Sequence, residues 1–164
     1  MPTSRRAPQP AERCSVDFLI LADGAQVQGD KLFMLGGGWT IVHARDFPAN
    51  LTLAVAAGVL VPWLETNRRH QFSLRVRNED AHKELASLNG EFEQGRAAGM
   101  PAGITQRVLL AVNLPLMLEG PGTFVVELAI DDTSPKRTLF QTVREGVANI
   151  QPPDQAAPPV SFAE

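Results

Sequence analysis

Between Cys14 and Glu145 apolar residues recur at every second position, and Gly, Pro or Asn cuts each such run short. A period of two puts alternate side chains on opposite faces of an extended chain, so this segment is built from strands. The run His70–Arg77 is the plainest case, with Phe72, Leu74 and Val76 on one face and Gln71, Ser73, Arg75 and Arg77 on the other. One face meets a core and the other meets water. From Leu51 the odd positions Leu53, Val55, Ala57, Val59, Val61 and Trp63 alternate with Thr52, Ala54, Ala56, Gly58, Leu60 and Pro62. Here the second face is small rather than charged, which predicts a central strand covered on both sides.

The other runs are shorter. Val16, Phe18, Ile20 and Ala22 alternate, and turns at Asp23-Gly24 and Gly29-Asp30 precede Leu32–Leu35. Gly36-Gly37-Gly38 in this apolar context predicts a bulge or strand bend rather than a phosphate cradle, after which Trp39, Ile41 and His43 resume the alternation. Val108, Leu110, Val112 and Leu114 are followed by the turn signal Glu119-Gly120-Pro121-Gly122 and then by Phe124, Val126, Leu128 and Ile130. That order predicts a hairpin, with Pro115 marking a strand end or a sheet edge. Asn78 to Glu93 reads as a hairpin with a long polar turn, the helical spacing of Ala81, Leu85 and Leu88 offering a short helix as the alternative.

Seven to nine short strands with turns between nearly all of them predict an all-β domain, a two-sheet antiparallel sandwich of immunoglobulin-like type. Pro121-Gly122-Thr123-Phe124 opens a late strand as Gly-x-Tyr does in many such domains, with Phe124 in the Tyr place. A small barrel is the alternative. Residues 1–13 and 146–164, rich in Pro, Ala and polar residues, predict disordered tails on either side of a domain spanning 14–145.

Composition excludes several function classes. A chain of 164 residues can bury enough apolar surface to fold without metal or disulfide. The single Cys14 has no partner within the chain, which suits a reducing compartment. A net charge of -3 with few lysines argues against nucleic-acid binding. No apolar run has the length of an export signal or a membrane span, so the expectation is a cytoplasmic protein without a membrane partner.

The densest set of chemically capable residues is Pro62-Trp63-Leu64-Glu65-Thr66-Asn67-Arg68-Arg69-His70, between two clear strands. Read as a binding site, Arg68 and Arg69 offer donors to an anion, Trp39 and Trp63 are apolar anchors, and Glu65, Asn67 and His70 stand nearby. Read as structure, Trp63 closes the end of the core, Glu65 pairs with one Arg, and Thr66-Asn67 make the turn. His43, His70 and His82 lack metal-ligand spacing, so no metal is expected. Cys14 would be a nucleophile only beside a base that lowers its pKa and reads as an incidental small residue, and Asp131-Asp132, whose oxygens could serve calcium, reads with Thr133-Ser134-Pro135 as a hairpin turn. No G-x-S-x-G elbow and no phosphate-binding loop occurs, and no cofactor is implied. The loop after Glu93 runs through Gln94-Gly95-Arg96 into Ala97–Gly103, a stretch of Ala, Gly, Met and Pro with no side-chain acid or base.

Three landmarks then stand in order: Leu35-Gly36-Gly37-Gly38-Trp39, then Pro62–His70, then Gly90-Glu91-Phe92-Glu93 ahead of Gln106-Arg107-Val108 and Asn113-Leu114-Pro115. Together they resemble a family of small uncharacterised bacterial proteins of unknown function, over about Val16 to Val143. The resemblance implies a compact domain and supplies no catalytic residue. Two functions compete. One is a non-enzymatic interaction or structural module, acting on a protein partner or by self-association. The other is a small-molecule domain binding an anionic ligand at the Trp63–His70 loop, which requires Trp39, Trp63, Arg68 and His70 to converge on one concave surface. An enzyme needs a perturbed acid, base or nucleophile in a cleft, and the spacing of the residues identifies none.

Overall fold

The computed structural model describes residues 13–146, so the segments read as tails lie outside the described residues except for Arg13 and Gly146. Within it the chain is all-β. The strands are β1 (Ser15–Ala22), β2 (Gly24–Gln28), β3 (Lys31–Leu35), β4 (Ile41–Ala44), β5 (Ala49–Val61), β6 (Arg69–Asn78), β7 (Lys83–Glu93), β8 (Gln106–Leu118), β9 (Gly122–Ile130) and β10 (Lys136–Arg144), with one 3₁₀ turn at Trp63–Glu65. They form a three-stranded sheet in the order β1-β5-β8, a five-stranded sheet β4-β10-β9-β6-β7, and the hairpin β2-β3.

The period-two faces explain the packing. Leu53, Val55 and Ala57 of β5, Leu19 and Leu21 of β1, and Leu116 and Leu118 of β8 meet Leu74 and Val76 of β6, Phe124, Val126 and Leu128 of β9, and Phe140 of β10 in one cluster. The core therefore lies between the two larger sheets. On the opposite face of β5, Ala54 and Ala56 cluster with Ala22 and Ala25, and Leu32 packs against them. The β2-β3 hairpin rests there, so β5 is covered on both sides, as its uncharged faces predict. Small side chains permit that close approach. Asn113 of β8 fastens the hairpin, its Oδ1 accepting from Ala25 N–H at 3.2 Å while its Nδ2 donates to Ala25 O at 2.9 Å.

Three expectations need correction. Strands β8 and β9 are not a hairpin, because β8 pairs with β5 in one sheet while β9 pairs with β6 and β10 in the other. Residues 119–121 therefore cross between sheets, since a turn signal fixes a reversal of the chain but not the sheet that receives it. Pairing is also not antiparallel throughout, as β4 lies parallel to β10 with Ile41 opposite Gln141. Finally, β2 and β3 form a third sheet beyond the two expected. Residues 79–82 turn the chain from β6 into β7, so Asn78–Glu93 supplies the turn and second strand of a β6-β7 hairpin, and the start of β7 at Lys83 removes the helix alternative. Pro115 stands within β8 at a sheet edge.

Candidate functional site

His70 is the second residue of β6, two positions before Phe72, and so shares the inward face of that strand. Its side chain is fully buried. Nδ1 lies 2.8 Å from Asp131 Oδ2, and Nε2 lies 2.7 Å from the backbone oxygen of Glu65. Both partners are acceptors, so both ring nitrogens donate and the ring is an imidazolium. Burial alone pushes the His70 pKa down. The bonds to Asp131 and Glu65, with the charges of both carboxylates, outweigh it and hold the pKa above 6.5. Burial likewise pushes Asp131 up, yet the His70 bond, the Gln71 N–H at 2.8 Å, and the charges of His70 and Arg68 bring its pKa below 3.8.

Cys14 Sγ sits 3.6 and 3.7 Å from the two ring nitrogens. Because the distances are nearly equal, and both N–H groups point at oxygens, neither nitrogen is aimed at the sulfur as a base. Burial, and then the Glu65 and Asp131 charges, push the thiol up to about 11. Such a thiol is not a nucleophile at neutral pH. Cys14, Glu65 and His70 also place possible ligand atoms within 4.8 Å of one another, a grouping through space that the histidine spacing did not reveal. Ligation there would require His70 to release a proton that Asp131 or the Glu65 carbonyl now accepts, and Cys14 to ionise.

The rest of the segment is tied to this centre. Thr66 Oγ1 donates to Trp63 O at 2.7 Å, and Asn67, at φ +59, donates its N–H to Gln94 O at 2.8 Å. Asparagine tolerates that left-handed conformation better than most residues. Arg68 pairs with Glu65 at 3.3 Å, and exposed Arg69 lies 3.9 Å from Glu91. Trp63 is half-buried and outside the core clusters, contrary to the expectation that it closes the core. Its ring is instead covered by the Arg96 guanidinium, 4.0 Å from the ring centroid. Arg96 also donates to Thr66 Oγ1 at 2.6 Å and Trp63 O at 2.9 Å. Beside the centre opens a cavity of about 530 Å³ lined by Arg13, Arg68, Glu65, Asp131, Asp132 and Thr133.

Trp39 is elsewhere. Its ring meets Phe140 edge-on at 5.7 Å, and its Nε1 donates to Asp23 Oδ1 at 3.0 Å. Phe140 pairs with Phe124 at the start of β9, whereas Asp131 follows its end. Seven strand steps, about 23 Å, separate those positions. The structure thus brings Glu65, Arg68 and His70 together, sets Trp63, Asn67 and Arg69 around them, and leaves Trp39 at the opposite end. Of the glycines before Trp39, Gly36 and Gly38 take positive φ, +59 and +91, and a Cβ on Gly36 would also collide with the Asp23 carboxylate.

A family model matches residues 17–143, a span that contains both tryptophan motifs. The chain belongs to a family of unknown function, DUF6941. No curated protein matches it. In this DUF6941 member the centre draws on Cys14, which the sequence reads as incidental, and on Asp131, which it reads as a turn residue, while Arg96 has no role in that reading. The missed signal for the centre was His70 itself, whose even position continues the apolar face of Phe72, Leu74 and Val76.

Proposed function

We propose that this DUF6941 protein is a non-enzymatic, immunoglobulin-like β-sandwich module that acts by contact with other polypeptide chains. Strand order supports the sandwich assignment. The sheets β1-β5-β8 and β10-β9-β6-β7 correspond to strands A, B, E and G, F, C, C′ of that fold, with β4 added beside the last strand. The observation that carries the functional reading is the wiring of His70. Both its nitrogens donate to oxygens, and the adjacent thiol is pushed up to about 11, so the cluster holds the chain together rather than moving protons.

The anionic-ligand reading gains no support from the cavity beside His70, where the three carboxylates of Glu65, Asp131 and Asp132 outnumber the two guanidiniums. The function is tested by labelling Cys14 in the folded protein with a thiol reagent at pH 8, alongside the unfolded chain. The folded thiol is expected to react far more slowly. Fast, stoichiometric labelling of the folded form, or hydrolysis of model ester or peptide substrates that Cys14→Ser abolishes, would overturn the non-enzymatic reading.

A further inference from the structure

Strand β8 is the edge of the three-stranded sheet, and nothing pairs with its outer side among the described residues. No charged residue occurs from Val108 to Leu118. Edge strands are ordinarily blunted by charges, bulges or proline, because their free N–H and C=O groups template another chain. Here Pro115 is the only such device within that run. The register runs through Pro115 opposite Thr52 without a shift, so the proline nitrogen faces the free side. Antiparallel alternation then turns the N–H and C=O groups of Arg107, Leu109, Ala111 and Asn113 to the same side.

The packing changes at the same proline. Beyond it the inward side chains of Leu116 and Leu118 are buried, at 4% and 0% exposure. Before it the inward Val108, Leu110, Val112 and Leu114 are only half-buried. The stretch with a usable edge is therefore also the stretch where the core is left open. Exposed Phe33 and Met34 of the clipped hairpin border a cavity with Asn113 on the other face of β8. The charge at the start of the strand is drawn inward, Arg107 bridging to Asp17 of β1 across the sheet.

We propose that this edge pairs with the same edge of a second copy of the chain, an inference that rests on reading the protein as an interaction module. A two-fold antiparallel pairing centred on Leu110 sets Leu110 against its own counterpart, Val108 against Val112, Leu109 against Ala111 and Arg107 against Asn113. Every pair is free of like charges, and Pro115 falls outside the paired stretch. Such a contact is isologous and closed, and makes one six-stranded sheet across the dimer. The self-complementary, uncharged pattern selects a second copy over a charged partner strand.

The test is sedimentation of the full chain over a range of concentrations, with hydrogen exchange read at the Leu109, Ala111 and Asn113 amides. The wild type is expected at twice its 17.8 kDa mass, with these amides losing protection on dilution. Leu109→Pro removes an edge-facing N–H without touching the β5 ladder, as Pro115 already does, and should weaken the dimer more than about tenfold. Leu109→Lys should also weaken it. A wild type monomeric at every concentration overturns the proposal, as does a dimer whose edge amides exchange freely. If that monomer captures another protein and Leu109→Pro abolishes capture, self-pairing is overturned while the module reading stands.

Discussion

The two tryptophan-bearing segments, Leu35–Trp39 and Pro62–His70, close opposite ends of one core by different chemistry. At one end Leu35-Gly36-Gly37-Gly38-Trp39 lays an indole edge-on against Phe140, which stacks on Phe124 at 5.0 Å. At the other end Pro62–His70 buries an imidazolium and spans it with a carboxylate and a carbonyl. The first closure rests on apolar area and shape, and the second on charge-assisted bonds in a desolvated place. The buried rings of the first carry no titratable group, whereas the second is set by protons.

The comparison is broken most severely at the aromatic end. Phe140→Ala is expected to cost about 3–5 kcal/mol in urea unfolding, because a buried stacked ring leaves a cavity that the sheets cannot fill. A cost under about 1 kcal/mol would show that the ring is dispensable. At the polar end Asp131→Ala should cost about 2–3 kcal/mol, since it leaves the buried His70 N–H without its acceptor.

That second cost should depend on pH, unlike the first. His70 is held above 6.5, so its contribution is whole below pH 6.5 and is lost as pH rises through the raised folded value. Asp131 is held below 3.8, so its contribution is whole above pH 3.8 and is lost as pH falls through the lowered value. Both are whole between 3.8 and 6.5. The stability gap between wild type and Asp131→Ala should accordingly narrow on the alkaline side, while the Phe140→Ala gap stays level. Parallel pH curves for the two variants would refute the contrast.

Smaller changes sharpen it. Arg96→Ala removes the cover of Trp63 and two hydrogen bonds, and is expected to cost about 1–2 kcal/mol with little dependence on pH. Arg68→Ala with Arg69→Ala should leave a folded protein less than about 1 kcal/mol weaker, as both side chains are largely exposed. Global unfolding of that double variant would mean that the exposed pair is structural after all.

Strands and their faces were legible in the sequence wherever period two held, and β5 announced both of its covers through its alanine side. What period two does not encode is which strands share a sheet, so the chain from β8 to β9 read as a hairpin when it crosses between sheets. The polar closure was half legible. His70 carried the inward parity of Phe72, but Asp131 lies sixty-one residues on, and only the β6-β9 register brings it near. Arg96 was hidden among Ala and Gly in a long loop, where a lone guanidinium has no partner until the fold returns it to Trp63. Gly36 was legible as a bend, though its steric cause, the Asp23 carboxylate, was not.

The clip between Asn113 and Ala25 also bears on how the chain tolerates rewriting. One amide side chain offers the donor and acceptor of a peptide unit, so the β2-β3 ribbon is attached to its neighbour without a ladder. Its tip, with Gly29 and Asp30 both at positive φ, stands clear of the core. Foreign sequence spliced between those two residues would leave the ribbon paired and clipped, making this the natural graft point on the scaffold.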